Sequence, residues 1–402
     1  MPHSSDPAKE ENEDTPHLVP YDSALSALSQ LALTIYENLA MFTRFFEEKE
    51  HVMLFNLFTR RTVCIFAFLC ILLHQSSSLY SQTWQDLTGP WKANVTDLAI
   101  GRAAGASAPI LYEADGSDLY RRDDGANSWE KKTQPGGTIL AVTCKPDDPT
   151  KVITATDTYV WYNANSGGGS WTEKIHDNNV HPIRLATSTV NPLNMLLGLQ
   201  KECGQKTVRR SSDGGVSWWD DSNLSGDIQT SISAIAWHPT DGTMVFAGGT
   251  ALQTQCSQQS ESPAASYTKG VFRSTNSGKD WANYGNLTKN VVAIDLYTSS
   301  GTTYVFAGTD DASNKLYRTS NGGTTWSVLT GYTGGLINDL KVDQNNNIYI
   351  AANDGVYKST NSGTNWSATN CDGFYAPNDM KRVAIDPSNA STVFCRKRND
   401  NF

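Results

Sequence analysis

The sequence of 402 residues lacks any apolar run of about 18 residues or more, so it predicts no ordinary membrane-spanning helix. Basic residues are in the minority, with 32 Lys and Arg against 41 Asp and Glu and a net charge of −9. This charge argues against a nucleic-acid-binding protein, because such proteins normally carry a basic stripe. None of the cysteines forms a C-x-x-C pair, so the sequence supports neither a zinc site nor a redox site.

Glycine and tryptophan, by contrast, are plentiful, with 31 and 11 residues. A hydrophobic fraction of 39% permits a sizeable core, and 10% aromatic residues argue against a disordered chain. The length allows one large domain or two ordinary domains. The composition therefore favours a folded protein that is rich in β-structure.

A segment before residue 82 has the pattern of a secretory signal peptide. Arg60 and Arg61 precede an apolar run at 62–74, and a small, polar stretch follows as far as Ser81. A positive start, a short apolar centre and a small-residue end are the three parts of such a signal. The sequence therefore predicts a signal peptide at 53–81 that is cleaved after Ser81.

A signal peptide normally stands at the start of an exported protein, whereas here residues 1–52 precede it. Met53 would make an ordinary initiator, so residues 1–52 are interpreted as upstream sequence translated from a misplaced start. The alternative is a genuine cytosolic tail with an amphipathic helix around 25–46. In either case the predicted folded domain is 82–402.

The cysteines of the folded domain allow two interpretations. Cys203 and Cys256 fall in predicted loops and could form a disulfide in an oxidising compartment. The favoured prediction is that the cysteines are buried small side chains, as free cysteines usually are. The set comprises Cys144, Cys203, Cys256, Cys371 and Cys395.

One segment recurs along the folded domain with little change. Its shared skeleton is Ser/Thr-x-Asp/Asn-x-Gly-x-Thr/Ser-Trp, as in VFRSTNSGKDW at 271–281. The copies span 119–129, 162–171, 208–218, 271–281, 316–326 and 356–366, of which 162–171 is degenerate. They end in Trp129, Trp171, Trp218, Trp281, Trp326 and Trp366, and their acidic or amide residues are Asp124, Asp213, Asn276, Asn321 and Asn361.

This skeleton predicts a hairpin turn between two strands. Glycine at the fifth position supplies a backbone conformation that other residues resist. The Asp or Asn accepts hydrogen bonds from amides of the turn, as in Asx-turns. The tryptophan opens the next strand and packs on its neighbour. The acidic residues of the skeleton are therefore predicted to be structural.

The spacing of the tryptophans predicts the fold. They are 40 to 47 residues apart, except for one interval of 63 with a Gln- and Ser-rich insertion around 252–269. Each interval holds short apolar segments between turn signals, such as AIAW at 234–237 and VFAGG at 245–249. Four short strands with a period of about 40–45 residues are typical of a propeller. The prediction is an all-β, single seven-bladed β-propeller whose last blade is incomplete.

The seventh blade is predicted from about residue 370, with strands around 382–385 and 392–394. The segment TWQDL at 83–87 resembles the strand that follows each tryptophan, and it is a candidate outer strand for this blade. Such a strand would protect the sheet edge. The basic ending RKRNDNF departs from the repeat, so we expect that the sequence is truncated or frameshifted there and that the protein continues.

The hairpins resemble Asp-boxes, also called BNR repeats. These occur in sialidases, in sortilin-type receptor ectodomains, in two-propeller xyloglucanases and in photosystem-assembly-factor propellers. The resemblance covers residues 84–366 and implies the propeller fold. It implies little about function, because each of these families uses the hairpin as a structural element.

In such propellers ligands usually bind the face that carries the loops from strand two to strand three and from strand four to the next blade. Aromatic and acidic side chains on this face suit sugars or peptide side chains; the alternative is that they are solvated loop residues. His176 and His181 flank Asp177, but without a third clear ligand they predict no metal site. The candidates are Trp91, Asp115, His176, Asp177, His181, Asp310, Asp311, Tyr332, Phe374 and Tyr375.

Catalytic residues are not predicted. A sialidase-type activity needs an arginine cluster, a tyrosine nucleophile and a paired acid. Of the arginines, Arg102, Arg184 and Arg382 are predicted to approach the central funnel, because most others precede the hairpins. Xyloglucanases of this type place a carboxylate on each of two propellers. This chain has one propeller, although Asp115 resembles their first acidic site.

The predicted function is that of an exported, non-catalytic binding or scaffold module for a carbohydrate or protein ligand, with no cofactor, metal or nucleic-acid partner. One alternative is a sialidase- or xyloglucanase-like glycoside hydrolase, which should show two funnel carboxylates about 5–9.5 Å apart. Another is an assembly factor for a membrane protein complex, which should show a basic patch. The signal peptide and the following Gln82 indicate the periplasm, cell surface or medium of a Gram-negative bacterium.

Overall fold

The computed structural model describes residues 95–123, 128–134, 136–176, 181–200, 207–220, 230–251, 269–369 and 379–397. All of them belong to the unit Gln82–Phe402. The predicted signal peptide, the residues before it and the segment 83–87 lie outside these ranges. Within them, no helix has the length and apolar character that crossing a membrane requires.

In the described residues, 25 β-strands form seven antiparallel sheets in which successive strands pair. The first three sheets contain β1 (Val95–Gly101), β2 (Ile110–Asp115), β3 (Asp118–Asp123), β4 (Glu130–Lys132); β5 (Ile139–Cys144), β6 (Val152–Thr156), β7 (Tyr159–Asn163), β8 (Thr172–His176); and β9 (Pro182–Thr187), β10 (Met195–Leu199), β11 (Val208–Ser211). The next two contain β12 (Thr230–Trp237), β13 (Val245–Ala251), β14 (Gly270–Ser274), β15 (Ala282–Asn283); and β16 (Val291–Ser299), β17 (Thr302–Thr309), β18 (Leu316–Thr319), β19 (Ser327–Val328). The last two contain β20 (Ile337–Val342), β21 (Ile348–Ala352), β22 (Gly355–Ser359), β23 (Ser367–Thr369); and β24 (Met380–Asp386), β25 (Asn389–Lys397).

The sheets surround a common axis, as in a β-propeller. The first strand of each sheet contacts the first strands of the sheets before and after it, and β24 contacts both β20 and β1. In the part of the chain that the structure describes, six sheets have the three or four strands of a blade. The seventh has two, because no described strand pairs with the outer edge of β25. The predicted seven blades are therefore corrected to six blades and a two-stranded sheet.

Every first strand carries a β-bulge near its start, and these bulges link neighbouring sheets. In three of these bulges the side chain of the bulged residue, Thr96, Ser233 or Asn338, donates to a carbonyl at the start of the next first strand. Thr96 Oγ1 is 2.7 Å from the Ile139 carbonyl oxygen, and Asn338 Nδ2 is 2.8 Å from that of Met380. The bulge therefore aims a hydrogen-bonding side chain along the ring, a common use of bulges.

The hydrophobic core lies between adjacent sheets, and each tryptophan of the repeat packs against the preceding sheet. Trp326 packs beside Tyr284 at the end of the fourth blade, and its Nε1–H donates to the Tyr284 carbonyl at 3.2 Å. Trp171 donates in the same way to the Thr133 carbonyl of the first blade at 2.5 Å. The prediction that the tryptophans pack on a neighbour is confirmed.

The turns before the tryptophans share one hydrogen-bond pattern. In the fourth blade Ser274 Oγ accepts from the Gly278 N–H at 2.9 Å, and Asn276 Oδ1 accepts from the Asp280 N–H at 2.8 Å. The same two bonds recur in the turns that begin at Ser211, Thr319 and Ser359. The motif glycines have φ between +79° and +87°. In these four turns the glycine thus has a positive φ and the Asp or Asn accepts from a turn amide, whereas Asp124 lies outside the described residues.

A pair of neighbouring glycines provides a test of this turn. Gly322 and Gly323 both have positive φ, but a Cβ on Gly322 would meet nothing within 4 Å, whereas one on Gly323 would lie 2.7 Å from the Tyr284 carbonyl oxygen. We expect Gly322→Ala to lower the free energy of unfolding by about 1 kcal/mol and Gly323→Ala by about 3 kcal/mol. Urea denaturation measures both. Equal losses would contradict the close packing of this turn on the preceding blade.

The ring closes at a seam between the first blade and the two-stranded sheet, where three arginines face three carboxylates. Arg396 forms an ion pair with the fully buried Glu113, since its Nη2 donates to Oε1 at 2.6 Å and its Nε lies 2.6 Å from Oε2. Arg102 pairs with the buried Asp386, and Arg382 Nε lies 2.8 Å from Asp97 Oδ1. A small apolar cluster at the same seam includes Leu111, Ala384 and Phe394. Charged pairs thus join residues almost 300 positions apart.

The cysteines divide into three groups. Cys144 is free and buried in the core between the first two blades, so the prediction is confirmed for this residue. Cys395 on β25 is disulfide-bonded, and the prediction of a free buried side chain is wrong there. Cys203, Cys256 and Cys371 lie outside the described residues, so the alternative pairing of Cys203 with Cys256 stays untested.

Candidate functional site

The predicted ligand face, called here the upper face, carries the ends of second and fourth strands and the starts of third and first strands. The topology places the described candidates on it: Asp115 ends β2, His176 ends β8, and His181 precedes β9. Asp310 and Asp311 follow β17, and Tyr332 precedes β20. The candidates therefore share one face but spread over five blades. Trp91, Asp177, Phe374 and Tyr375 lie outside the described residues.

Asp310 and Asp311 are held by their own loop and by the loop before β16. Asp311 Oδ2 lies 2.6 Å from Lys289 Nζ, and Asp310 Oδ2 accepts from Asn290 at 2.8 Å. Hydrogen bonds from Lys289 and from backbone amides lower the pKa of Asp311 to about 2. Both carboxylates therefore already have partners on the upper face.

Tyr332 lies beneath the upper face rather than on it. Its ring is buried and meets Tyr357 and Trp366 edge to face, each with a centroid distance of 5.3 Å. Its hydroxyl donates to the Gly335 carbonyl at 3.0 Å, and burial raises its pKa, with Asp354 adding to the rise. This geometry gives Tyr332 a packing role between the fifth and sixth blades.

The other described candidates differ in exposure. Asp115 is buried at the tight turn between β2 and β3. The side chain of His176 is 53% exposed, and its ring lies 4.5 Å from that of Tyr159. The His181 carbonyl accepts from the Gln200 amide at 2.7 Å, which fixes the start of the third blade. Of these three, His176 is the side chain that offers a surface to a ligand.

The central channel is lined by the first strands, and the residue after each bulge occupies one ring-shaped layer. Three blades place alanine in this layer, which is small and apolar. The other four sheets place charged side chains there: Asp97, Arg184, Asp339 and Arg382, called here the channel quartet. The complete layer is Asp97, Ala141, Arg184, Ala234, Ala293, Asp339 and Arg382.

The quartet closes the channel with ion pairs that cross it. Arg184 of the third blade lies 3.4 Å from Asp97 of the first and 3.3 Å from Asp339 of the sixth, and neither blade is its neighbour. Arg382 contacts Asp97 as well. Backbone amides complete both carboxylates, since Asp97 Oδ2 accepts from Val142 at 3.0 Å and Asp339 Oδ2 from Val383 at 3.3 Å. The two arginines and two aspartates thus form a buried cluster in the channel in which their charges cancel.

The electrostatics of the quartet follow from burial and mutual attraction. Burial lowers the pKa of Arg184, and the neighbouring Arg382 lowers it further. Burial alone would raise the pKa of Asp339, but Arg184, Lys341 and Arg382 outweigh it and the pKa falls. Burial opposes the charge of Arg382, yet Asp97 and Asp339 raise its pKa above the ordinary value. Asp339 is therefore held as a carboxylate.

A further carboxyl group lies on the first strand of the fifth blade, two residues beyond this layer. Burial raises the pKa of Asp295, against the attraction of Lys341. Its Oδ2 accepts from the Val342 amide at 2.8 Å and its Oδ1 from the Leu296 amide at 3.0 Å. Asp295 therefore fastens the fifth blade to the sixth.

Sequence reasoning located only part of this arrangement. It predicted that Arg184 and Arg382 approach the axis, and the structure confirms this. Arg102 is different, because it pairs with Asp386 at the end of β24, on the opposite face. Asp97 and Asp339 were missed. Their position in the repeat could have identified them. Asp97 and Asp339 occupy the position after the bulge, as Arg184 and Arg382 do in their own first strands, and the remaining three blades have alanine there.

The described residues contain no group of three or more His, Cys, Asp or Glu side chains arranged to hold a metal ion. His176 has Glu173 nearby, with Nδ1 and Oε1 3.8 Å apart. Such a pair alone is too few ligands for a structural or catalytic zinc site. The chemistry that the described residues offer is therefore ionic and aromatic.

No protein-family profile and no curated protein sequence matches the chain. Among solved structures it is similar to the GH74 xyloglucanase from Xanthomonas campestris, with a TM-score of 0.57 and 17% identity over 79% of this chain and 52% of the xyloglucanase. The GH74 enzyme of Niastella koreensis gives 0.54 and 16% identity over 79% of this chain and 53% of the enzyme. YCF48 bound to D1 peptide gives 0.52 and 14% identity over 77% of this chain and 91% of YCF48.

These similarities concern the fold. At 14–17% identity they show a β-propeller and nothing about the site. The chain spans about half the length of the two GH74 enzymes, whereas it spans nearly the whole of YCF48. The resemblance to propellers that the sequence predicted is thus confirmed at the level of architecture.

Proposed function

We propose that this propeller is a non-catalytic binding or scaffold module whose carbohydrate or protein ligand binds the upper face. The observation that carries the proposal is the channel quartet. Arg184 and Arg382 neutralise Asp97 and Asp339, so the central channel where a propeller most readily builds a polar site is filled by the protein's own charges. A ligand must then contact the rim of the upper face.

The electrostatics of the channel disfavour acid–base catalysis. Glycoside hydrolysis needs one carboxyl group with a raised pKa as the acid and a second carboxylate as base or nucleophile. Asp339 has a lowered pKa, and Asp295, whose pKa is raised, has backbone amides on both of its oxygens. A carboxyl group held in this way is poorly placed to protonate a leaving group.

The proposal also covers the identity of the repeated turns and the cellular location of the protein. We propose that the repeated turns are Asp-boxes, which their hydrogen bonds and glycine conformations support. We also propose that the protein is exported. The disulfide of Cys395 supports this, because disulfides persist in oxidising compartments.

A hydrolysis assay tests the proposal. The full chain is incubated with xyloglucan, mixed-linkage β-glucan, galactomannan and sialyllactose, and the release of reducing sugar or sialic acid is measured. We expect no release above a heat-inactivated control. Turnover that Asp115→Asn or Asp295→Asn abolishes, while Asp118→Asn on the same hairpin as Asp115 preserves it, would establish a hydrolase and overturn the proposal.

A protein ligand is the second possibility, because YCF48, a propeller of similar fold, has a structure in which it is bound to D1 peptide. The two ligand classes make different demands on the upper face. A peptide offers one backbone N–H and one carbonyl oxygen for each residue other than proline, whereas a sugar offers several hydroxyl groups that both donate and accept. The side chains available on the second blade distinguish between them.

A further inference from the structure

Three aromatic side chains form a continuous row on the outer strands of the second blade. Tyr159 begins β7, and its ring centroid lies 5.1 Å from that of Trp161 on the same strand and 4.5 Å from that of His176 on β8. Both pairs are tilted by 33°. The three rings, called here the aromatic platform, therefore form a shallow curved surface at the upper face.

The platform is distinct from the core of the blade. Between Tyr159 and Trp161 lies Val160, which points the other way and is fully buried against the third blade. Alternate residues of a strand face opposite sides, so Tyr159 and Trp161 share the opposite side of the blade. They are half-buried, and His176 at the end of the row is exposed. The protein therefore holds these side chains in place, and part of their surface remains accessible to a ligand.

The polar groups beside the rings are suited to hydroxyl groups. The Glu173 carboxylate is 46% exposed, and at 3.8 Å from His176 Nδ1 it lies beyond hydrogen-bond distance of that nitrogen. The indole Nε1–H of Trp161 is itself buried and has no hydrogen-bond partner among the described residues. The indole donor is therefore not offered at the surface. Glu173 provides a carboxylate acceptor, and the His176 imidazole and the Tyr159 hydroxyl can each donate and accept.

We propose that the aromatic platform is a carbohydrate-binding subsite on which pyranose rings of a polysaccharide stack, with Glu173 accepting hydrogen bonds from sugar hydroxyl groups. This inference deepens the proposed binding function and rests on it. A proline-rich peptide also packs on aromatic side chains, but proline has no backbone N–H, so such a peptide offers few donors to the Glu173 carboxylate, whereas sugar hydroxyl groups can donate to it. Residues 82–402 contain 27 Lys and Arg against 31 Asp and Glu, and this lack of basic excess disfavours single-stranded nucleic acid, whose bases also stack on aromatic rings.

Affinity electrophoresis of the full chain in gels that contain hydroxyethyl cellulose, xyloglucan or galactomannan tests the subsite. We expect retardation by at least one polysaccharide, and Tyr159→Ala should raise its dissociation constant about tenfold, because the apolar contact between one aromatic ring and a pyranose ring is lost. Tyr159→Phe keeps the ring and should retain binding. Glu173→Gln should weaken binding, because an amide oxygen accepts less strongly than a carboxylate.

Trp219→Ala is the matched control, because Trp219 is another partly exposed aromatic residue, 38% accessible, on the third blade away from the platform. It should leave binding unchanged. Binding that survives Tyr159→Ala, or that Trp219→Ala removes equally, would overturn the subsite while leaving a non-catalytic binding module intact. Absence of binding to all three polysaccharides, or binding of a proline-rich peptide through the same residues, would also overturn it. Hydrolysis in the assay above would instead overturn the proposed function.

Discussion

Replacing Arg396 by methionine should lower the free energy of unfolding by about 3–5 kcal/mol, the usual cost of leaving a buried charge without its partner. Arg396 provides the ion pair and the hydrogen bond that hold Glu113, whose side chain is fully buried on β2. Methionine keeps much of the length of the side chain but removes the charge. Urea denaturation of the full chain at pH 7 measures the loss.

The pH dependence of this variant adds a second readout. Burial raises the pKa of Glu113 above its ordinary value of 4.5, even with Arg396 present. The folded state then holds the proton more readily than the unfolded chain, so this group reduces stability as pH rises from 4.5 through the folded pKa. Arg396→Met removes the opposing cation, and the variant should therefore lose more stability than the wild type between pH 4.5 and pH 7.

Two controls separate the buried pair from a general effect of removing charge. The double variant Glu113→Gln with Arg396→Met contains no uncompensated charge and should regain much of the loss. Lys131→Met removes a cation of an exposed ion pair with Asp118 and should hardly change stability. A loss for Arg396→Met no larger than that for Lys131→Met would show that the seam does not depend on this pair.

The parts of the fold that local sequence determines could be predicted. Each turn skeleton sets its own conformation, as in Ser274 and Gly278, where a side-chain oxygen and a positive φ act within five residues. The spacing of the tryptophans then indicates a repeating sheet. The strand count of the last sheet could not be predicted in this way, because the partner of an edge strand need not be adjacent in sequence.

The candidate site was less predictable, for a physical reason. Loop position predicted that His176 lies on the upper face, but the ring that it contacts, Tyr159, belongs to a different strand and appears in sequence as an ordinary β-strand residue. Arg184 and Asp339 are 155 residues apart and meet only when the ring closes. Contacts across a closed ring depend on the positions of all the intervening sheets, so no local sequence pattern predicts them.

Replacing Arg184 by methionine is also expected to lower the free energy of unfolding by about 3–5 kcal/mol. This substitution lies in the central channel and not at the seam. Arg184 separates two buried carboxylates, Asp97 and Asp339, which lie on either side of its guanidinium. In its absence Arg382 and Lys341 remain as the cations that balance the two carboxylates. Chemical denaturation at pH 7 measures the change, and Arg184→Met combined with Asp339→Asn should recover most of it.

The sign of the pH effect follows from the pKa of Asp339, which lies below its ordinary 3.8 in the wild type. A carboxyl group with a lowered pKa stabilises the fold above pH 3.8 and loses this contribution as the pH falls through its folded pKa. Without Arg184, burial should instead raise the pKa, so the variant should be relatively more stable in acid. The deficit relative to wild type should therefore shrink between pH 7 and pH 4.5. A deficit that stays constant with pH would mean that methionine costs packing rather than charge balance, and the channel would then not be closed by ion pairing.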